Sequence, residues 1–323
     1  MGIFLVTSRI YKHGMVIHET GKSLNHIDLN ALIGIQRHFA AFFQDFGTKV
    51  QLFEGQERIL AEVEPEVAKQ LTAILNDDPR LTIETAVKIK DIKGKPGAMK
   101  MSFEDAEGKD RTFSCDYVIM ATGKRPDLDP LQLDKAGVAI EKGVIKADAR
   151  CRTSVPHIFA VGDVIGGLML AHTAGQQGRV AAMTISGEDM VYDQDKDSGV
   201  IFTRPEAAFV GLSMEQAKQK GIDAAEVKVP MSVDAKAMIT GETLGLIKIV
   251  AEKSTHRVIG VHFLADHADT LIGEAVMMVS GNMTLEQVGQ AIHPHPTQTE
   301  LFGELARRLS SRLKRAERRA KKK

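Results

Sequence analysis

Residues 35–54, IQRHFAAFFQDFGTKVQLFE, decide the fold that the sequence predicts. Apolar side chains recur at helical spacing up to Gly47, and glycine commonly ends a helix. The run KVQLF that follows is typical of a strand. A helix that leads directly into a strand in this way is the second half of a βαβ unit, so we expect a parallel sheet.

Further strands and helices extend this prediction along the chain. Residues 66–78 have the apolar spacing of a second helix, and KMSF and RTFSC flank the polar turn EDAEGKD as in a hairpin. The apolar run YVIMAT stops at Gly123, which favours a buried parallel strand. IFAVGD, residues 158–163, predicts another buried strand, and a helix is expected from about Thr173 to Ser186. Strands and helices alternate, so the predicted fold class is α/β.

The pattern changes after residues 187–198, an acidic and aperiodic stretch that we interpret as a linker between domains. Beyond it, β-rich runs alternate with short helices. Two helix starts, Ser213 with Gln216 and Thr284 with Gln287, match the capping box. This part of the chain is predicted to be α+β and to form a core of its own.

Charge is balanced over the whole chain but not along it. The 323 residues include 42 Lys+Arg and 42 Asp+Glu, and residues 307–323 hold ten Lys/Arg and one Glu. The remaining 306 residues therefore carry 32 basic and 41 acidic side chains, a net charge of −9. A molecule without net charge has no global field that attracts nucleic acid or a membrane, so we expect neither as a partner. The basic end leaves such an association as a weaker alternative to a solvated terminus, and its last dozen residues are predicted to fray.

The two cysteines, Cys115 and Cys151, are too few for a disulfide framework and lack CxxC or metal-binding spacing. The N-terminal sequence does not have the pattern of a signal peptide. No run reaches the ~18 apolar residues of a membrane-spanning helix. We expect a cytoplasmic protein.

Glu54 ends the strand KVQLF, twenty positions after Gly34. In a dinucleotide-binding βαβ unit, an acid at this place accepts hydrogen bonds from the adenosine ribose and repels a 2′-phosphate, which favours NAD over NADP. The glycine pattern that should precede it, GxGxxG, is reduced to one glycine in ALIGIQRHF. An ordinary acid at a strand end is the alternative.

Asp163 follows Gly162 and precedes a loop of small residues that leads into a helix. Such a loop can present a carboxylate to a ribityl or ribose hydroxyl, and backbone N–H groups to a phosphate or the edge of a flavin ring. A role as a turn residue or helix cap is an equal alternative on the pattern alone.

His295 and Glu300 lie in the stretch HPHPTQTELF. A glutamate five residues after a histidine can orient the imidazole only if the backbone turns, and the two prolines favour a turn. The pair could therefore be a general base with its carboxylate partner. An exposed turn before a helix and metal binding through His293 and His295 are the alternatives, the second without a third ligand at suitable spacing.

Five ordered motifs carry a resemblance to a known family. They are VIMATGKRPD (118–127), TSVPHIFAVGD (153–163), LMLAHTAGQQG (168–178), FTRPEAAFVGLS (202–213) and HPHPTQTE (293–300). Together they resemble the pyridine nucleotide–disulfide oxidoreductases, and most closely the dihydrolipoamide dehydrogenase group, over residues 42–308.

The resemblance implies a homodimer that uses FAD and NAD and acts on a dihydrolipoamide-type dithiol. It implies a Rossmann-like NAD-binding domain, a partial FAD-binding domain, an α+β interface domain and a basic tail. The corresponding ranges are 1–116 (with 1–38 atypical), 117–190, 199–310 and 311–323.

Single residues also receive roles from the resemblance. Glu54 resembles the NAD ribose ligand, and Val87 and Gly123 resemble contacts of the nicotinamide nucleotide. The residues that resemble the lining of the FAD site are Gly162, Asp163, Met169, Leu170, Ala171 and His172. His295 would be the base that deprotonates the dithiol, and Glu300 its orienting partner.

One element of the family pattern is missing from this sequence. The redox pair CxxxxC is absent, because Cys115 and Cys151 stand 36 positions apart. The resemblance thus implies an N-terminally shortened member, whether through a truncated gene, an altered reading frame near the start or deliberate shortening. Three functions stay open: dithiol oxidation coupled to NAD reduction; a redox-inactive homologue that binds NAD or dimerises with a full-length subunit; and a glutathione- or mercuric-reductase-like member. Glu54 favours the NAD-linked lipoamide type.

Overall fold

The computed structural model of the chain describes residues 2–7, 43, 46–121, 123 and 125–322. The helix predicted from Ile35 falls almost entirely outside these residues, as does the glycine-poor stretch ALIGIQRHF. The chain forms two compact units. Residues 1–55 and 84–197 form the first unit, and residues 56–83 and 198–323 form the second.

Three parallel strands carry the nucleotide-binding candidates of the first unit. Strand β1 (Gly2–Thr7) lies between β2 (Lys49–Glu54) and β7 (Tyr117–Met120). The register pairs Thr7 with Glu54 and Val6 with Met120, so the three strands end at the same edge of the sheet. The parallel strand predicted from YVIMAT is confirmed. The central strand, however, comes from the segment that looked atypical in the sequence.

An antiparallel meander packs behind β2. It consists of β4 (Lys88–Lys95), β5 (Ala98–Glu104) and β6 (Asp110–Cys115), and it confirms the hairpin predicted around EDAEGKD. Its core includes Phe53, Val87, Met101 and Phe103, which are all buried. The rings of Phe53 and Phe103 meet edge to face at 4.7 Å between centroids, so the residue before Glu54 is firmly anchored.

The remaining regular elements between residues 81 and 190 are short, except for one helix. They are β3 (Leu81–Glu84), α2 (Leu133–Ala136), β8 (Ile140–Glu141), β9 (Val144–Ile145) and the longer α3 (Ala171–Ile185). Helix α3 confirms the helix predicted from about Thr173 to Ser186.

The buried strand predicted for IFAVGD is wrong. In this stretch Phe159 forms a single β-bridge with Arg152, and Gly162–Ile165 form a 3-10 turn. Val161 is 37% exposed. A parallel strand requires a neighbouring strand for its backbone hydrogen bonds, and the described residues place no such strand beside this stretch.

A five-stranded antiparallel sheet forms the centre of the second unit. Its strands, in spatial order, are β10 (Ser198–Ile201), β11 (Glu206–Gly211), β14 (Val258–Ala265), β13 (Leu246–Glu252) and β12 (Ala224–Pro230). Six helices belong to this unit: α1 (Pro65–Asp77), α4 (Met214–Gln219), α5 (Ala235–Thr240), α6 (Ala268–Ser280), α7 (Leu285–Gln290) and α8 (Glu300–Ala320). The sheet and helices share one apolar core that includes Phe263 and Phe302. This confirms a core of its own for the C-terminal part.

Local signals fixed two of these helix starts. Ser213 accepts a hydrogen bond from the N–H of Gln216, and the Gln216 side chain accepts one from the N–H of Ser213. Thr284 and Gln287 form the same reciprocal pair. Both predicted capping boxes are therefore confirmed.

Helix α1 is tied to the second unit by a buried ion network. The carboxylate of Glu64 accepts hydrogen bonds from the N–H groups of Glu66 and Val67 at the helix start, and its other oxygen lies 2.8 Å from Nζ of Lys248. Lys248 is 3% exposed, and its Nζ also lies 2.9 Å from Glu66 and 3.2 Å from Glu226. The sequence-based range 1–116 assigned this helix to the NAD-binding domain. The domain boundaries stay predictions.

Helix α8 continues to Ala320, so the predicted fraying of the last dozen residues is wrong. Leu313 is buried, Nζ of Lys314 lies 2.7 Å from Glu286, and Glu317 lies 3.0 Å from Nε2 of His256. These polar contacts with residues distant in sequence hold the end of α8 in place, where the sequence has few apolar side chains for packing. None of the described helices is both long and apolar enough to cross a membrane.

Candidate active site and nucleotide-binding residues

The turn before α8 brings His295 and Glu300 together. Nδ1 of His295 lies 3.0 Å from Oε1 and 3.1 Å from Oε2 of Glu300. The imidazole is 71% exposed, whereas the glutamate side chain is 30% exposed. Because Nδ1 faces the carboxylate, Nε2 is the ring nitrogen open to a reacting group.

Glu300 is itself held in place by the turn. The N–H of Thr297 donates a hydrogen bond of 2.8 Å to Oε2 of Glu300, and the Thr297 hydroxyl donates one to the carbonyl of Pro294. The bond from the Thr297 N–H, and after it the bond from His295, lower the pKa of Glu300. An ionised Glu300 accepts the Nδ1–H of His295, which makes Nε2 the proton acceptor of the neutral ring.

The neighbouring His293 has a separate partner. Its Nε2 lies 2.8 Å from Oε1 of Glu274 on α6, and its side chain is only 10% exposed. A Cβ at Gly303 would lie 2.9 Å from Nδ1 of His293, so glycine leaves room for the ring. The two histidines thus bind two different carboxylates, and the described residues contain no group of three or more His, Cys, Asp and Glu suited to a metal.

Sequence reasoning missed Asp234, which lies close enough to influence the His295–Glu300 pair. Asp234 is buried and caps α5, with a hydrogen bond of 2.7 Å from the N–H of Ala237. Burial raises the pKa of Asp234, the charge of Glu300 raises it further, and His295 lowers it. An aspartate just before a helix is a typical N-cap, so the local role of Asp234 could have been predicted. Nothing in the sequence linked Asp234 to His295, which lies 61 positions later.

The structure brings Glu54 and Val87 together at the carboxyl end of β2. Glu54 is 6% exposed, and its backbone carbonyl accepts a hydrogen bond of 3.1 Å from the N–H of Val87. Gly123 follows β7 at the same edge of the parallel strands and has a φ of +99°. Ligands of open parallel sheets bind beyond the carboxyl ends of the strands. A buried carboxylate at this edge fits the hydroxyl groups of a nucleotide ribose.

The proposed flavin residues lie on two connected pieces of the first unit. Gly162, with a φ of +78°, donates a backbone hydrogen bond of 2.7 Å to Oε1 of Gln177 on α3. Asp163 is half-buried, and its carbonyl closes the 3-10 turn by accepting the N–H of Gly166. Gln177 therefore fixes the Asp163 turn against the helix. Sequence reasoning missed it, because its partner is a backbone group 15 positions earlier.

The start of α3 is suited to an oxygen-rich ligand. Leu170 occupies the cap position, no side chain caps the helix, and Met169 adopts a φ of +54°. Leu170 therefore offers no capping oxygen to the first N–H groups of this 15-residue helix. Such N–H groups fit a phosphate or the carbonyl edge of a flavin.

Comparison with known proteins identifies the family. Residues 32–178 match the model of pyridine nucleotide-disulphide oxidoreductase, and residues 198–306 match the dimerisation domain of the same proteins. The chain belongs to the pyridine nucleotide–disulfide oxidoreductase family. The resemblance derived from the five motifs and the predicted fold class are therefore confirmed.

Curated relatives of this chain include dihydrolipoyl dehydrogenases. The enzyme from Bacillus subtilis is 34% identical over 265 residues, which cover 82% of this chain and 56% of the relative. The enzyme from Geobacillus stearothermophilus is 35% identical over 278 residues, covering 85% and 58%. The chain thus spans less than two thirds of the length of these relatives. The two domains and these relatives imply FAD and NAD(H) as the cofactors.

Solved structures share the fold at lower identity. LpdA from Mycobacterium tuberculosis superposes with a TM-score of 0.79 at 23% identity, covering 95% of this chain and 61% of that chain. The HOCl-induced flavoprotein disulfide reductase RclA from Escherichia coli gives a TM-score of 0.75 at 21% identity, covering 94% and 64%.

The two cysteines of this chain do not have the properties of a redox pair. Both are free thiols, Cys151 is buried and Cys115 is half-buried on β6. Burial raises the pKa of Cys115 to about 11, with a further contribution from Asp116. Burial, followed by the charge of Asp148, also raises the pKa of Cys151. Since the thiolate is the form that attacks a disulfide, neither cysteine is suited to thiol–disulfide exchange at neutral pH.

Proposed function

We propose that this chain is an FAD-dependent, NAD-linked oxidoreductase of the dihydrolipoamide dehydrogenase type, in which His295 is the base for a dithiol substrate. The observation that carries the proposal is the contact of 3.0 Å between His295 Nδ1 and Glu300 Oε1. It leaves an exposed Nε2 next to a carboxylate whose pKa is lowered. That arrangement suits the transfer of a thiol proton.

The proposed proton path starts at the dithiol. Nε2 of His295 takes a proton from one thiol, and the charge of Glu300 stabilises the imidazolium that forms. Oxidation of a dithiol to a disulfide releases two electrons and two protons. FAD and NAD, when bound, supply the transfer of the two electrons as a hydride, which carries one proton. The second proton leaves through His295 to solvent.

We assign the nucleotide-binding roles within the first unit. Glu54 would accept hydrogen bonds from the NAD ribose, next to Val87 and Gly123 at the edge of the parallel strands. Asp163 would bind a hydroxyl group of FAD. Gly162 and the start of α3, residues 169–172, would contribute backbone N–H groups.

As the family resemblance implies, the disulfide that exchanges with the substrate would come from the partner subunit; residues 1–323 contain no CxxxxC. A homodimer is supported by the match of residues 198–306 to a dimerisation domain. A mixed dimer with a full-length subunit is the arrangement that we propose for catalysis. Ile292, which is 98% exposed three positions before His295, also favours a partner at this turn. Other exposed apolar side chains of the second unit are Phe202, Val233, Met238, Ile239, Leu244 and Met277.

A redox-inactive homologue is the second candidate function. It would keep NAD binding and dimerisation without catalysing dithiol oxidation. The raised pKa values of Cys115 and Cys151 favour it, because a raised pKa makes each of these thiols less reactive at neutral pH. The cytoplasmic location stays a prediction from cysteine usage.

The absorption spectrum of the purified chain, combined with its mass in size-exclusion chromatography, tests the proposal. A flavin band in a dimeric species supports retention of FAD, and bleaching by dihydrolipoamide with recovery on addition of NAD, in mixed dimers with a full-length subunit, supports the enzyme. A colourless dimer that still binds NADH supports the redox-inactive homologue and contradicts the enzyme.

A further inference from the structure

Helix α8 extends beyond the part of the chain that matches the dimerisation domain. The match to the dimerisation domain ends at residue 306, whereas the helix continues to Ala320. Residues 307–323 hold ten Lys/Arg and one Glu. The extension therefore adds a concentrated positive charge to a chain whose other residues carry a net charge of −9.

Arginines occupy one face of this extension. Arg308, Arg312, Arg315 and Arg319 follow each other at intervals of four, three and four residues, which places them on one side of the helix over about 16 Å. Together with Glu304, Arg307, Ser311 and Ala316 they line a shallow concavity, which we call the arginine face.

Most charges of the arginine face are not compensated. Arg307 donates a hydrogen bond of 2.9 Å to the carbonyl of Gly289, and Arg312 donates one to the carbonyl of Glu226. These bonds hold both guanidinium groups in place without neutralising them. Arg308 pairs with Glu304. Arg315 and Arg319 have no acidic partner within the part of the chain that the structure describes.

The acids near the extension are engaged on another side of the helix. Glu317, its only acid, contacts Nε2 of His256 at 3.0 Å. Glu286 accepts Nζ of Lys314 at 2.7 Å and the hydroxyl of Ser310 at 2.8 Å. These contacts fix the helix and leave Glu304, which pairs with Arg308, as the one acid that lines the arginine face.

The chemistry of the arginine face selects one class of partner. Leu309 and Leu313 are buried, so Ala316 is the only apolar side chain among those that line the concavity. Protein interfaces depend on apolar or aromatic anchors, and a helix that lies on a membrane needs an exposed apolar side. A phosphodiester backbone needs only cations and hydrogen-bond donors, and the guanidinium fork binds phosphate in a bidentate manner.

We infer that the arginine face of α8 binds the phosphate backbone of nucleic acid without sequence preference. The expectation of no nucleic-acid partner relied on the zero net charge of the whole chain, which does not describe this local surface. Since the lining contains no aromatic side chain that could stack on bases, duplex DNA is a suitable ligand.

Binding of a fluorescent DNA duplex of arbitrary sequence, followed by anisotropy in increasing salt, tests the inference on the full chain. Neutralisation of phosphates by Arg307, Arg312, Arg315 and Arg319 predicts a slope of log Kobs against log salt of about −3.6, roughly a 150-fold loss from 50 to 200 mM. The double variant Arg315→Gln/Arg319→Gln should reduce the slope to about −1.8. The charge-keeping variant Arg315→Lys/Arg319→Lys should retain the slope of the unmodified chain.

A matched control removes two positive charges elsewhere on the same unit. Lys253→Gln/Arg257→Gln changes two exposed residues of the β13–β14 turn and should leave the slope unchanged. Equal losses in the control and in the arginine variant would overturn the inference, as would the absence of binding at 50 mM salt. Tighter binding of polyglutamate or of anionic vesicles than of DNA would show that the class of partner is wrong.

Discussion

Nδ1 of His295 lies 3.0 Å from Oε1 and 3.1 Å from Oε2 of Glu300, so one carboxylate faces one ring nitrogen with both of its oxygens. The N–H of Thr297 binds the same carboxylate at 2.8 Å and fixes its position. The exposed Nε2 is therefore the basic nitrogen of the neutral ring. This relationship links the local turn HPHPTQTE to a chemical role.

Glu300→Gln should reduce the rate of dithiol oxidation by roughly 100-fold, since a neutral amide stabilises the imidazolium less well than a carboxylate. The rate is measured as dihydrolipoamide-dependent NAD reduction in dimers of this chain with a full-length subunit. Glu300→Asp should recover part of the loss. A rate unchanged in Glu300→Gln would exclude a role of this carboxylate in proton transfer.

Glu54→Ala should weaken NADH binding by roughly 10- to 100-fold, because a charged hydrogen bond contributes about 1.5–3 kcal/mol. The preference for NADH over NADPH should fall as well, since the repulsion of the 2′-phosphate is removed. Fluorescence titration with both nucleotides measures these affinities. Glu57→Gln changes an exposed acid three positions later and should have no effect. Equal effects of both variants would show that Glu54 is an ordinary acid at a strand end.

Gln177→Leu should lower the flavin content of the purified chain. The substitution leaves the N–H of Gly162 without its acceptor at 2.7 Å, which loosens the turn that carries Asp163. Gln176→Leu is the matched control, because Gln176 is the exposed neighbour on the same helix. Flavin absorbance per chain is the readout. A Gln177→Leu chain that retains the flavin of the unmodified protein would argue against this positioning role.

Lys248→Met should lower the free energy of unfolding by about 3–5 kcal/mol, because it leaves the buried carboxylate of Glu64 without its cation. Burial lowers the pKa of Lys248, but the hydrogen bonds of Glu64 and Glu66 prevail and raise it to about 12. Lys228→Met removes an exposed cation that also binds Glu66 and should cost less than about 1 kcal/mol. Urea unfolding measures both. Equal losses of unfolding free energy in the two variants would show that burial of Lys248 does not make its ion pairs more important for stability than those of the exposed Lys228.

The pair His256 and Glu286 should make stability depend on pH in two windows. Burial lowers the pKa of His256, but the hydrogen bonds of Glu286 and Glu317 outweigh it, so the pKa is raised. The contribution of His256 to the free energy of unfolding is therefore complete below its pKa in the unfolded chain, about 6.5. It is lost as the pH rises through its pKa in the folded chain. His256→Asn should then be destabilising at pH 6 and progressively less so as the pH is raised above 6.5, as measured by urea unfolding.

Glu286 acts in the opposite direction. Burial raises its pKa, but Lys314, His256 and Ser310 lower it to about 2. The contribution of Glu286 to the free energy of unfolding is complete above its pKa in the unfolded chain, about 4.3. It is lost as the pH falls towards 2. Glu286→Gln should therefore be destabilising at pH 6 and nearly neutral at pH 2. A constant difference across this range would contradict the assignment.

Interactions between residues close in sequence were predictable. The capping boxes at Ser213 and Thr284, the hairpin around EDAEGKD and the pair His295–Glu300 all depend on neighbours within a few positions. The contacts of Gln177 with Gly162 and of His293 with Glu274 join residues 15 and 19 positions apart, and the pattern contained no signal for them.

The two wrong predictions have the same physical origin. The apolar run IFAVGD resembles a buried strand, but a strand also needs a partner strand, which a single sequence does not reveal. The end of α8 lacks apolar residues, yet Glu286 and His256 bind Lys314 and Glu317 from elsewhere in the chain. Tertiary contacts therefore decided both outcomes.

The central claim is that His295 supplies the base for a dithiol–disulfide exchange whose cysteines lie on another chain. The most direct test mixes this chain with a full-length dihydrolipoyl dehydrogenase subunit whose own base histidine is replaced by glutamine, and measures NAD reduction by dihydrolipoamide. Activity that appears with the unmodified chain, and is at least ~100-fold lower with His295→Gln, is the predicted result. Equal activity with both chains, or none with either in mixed dimers confirmed by mass, would contradict the claim.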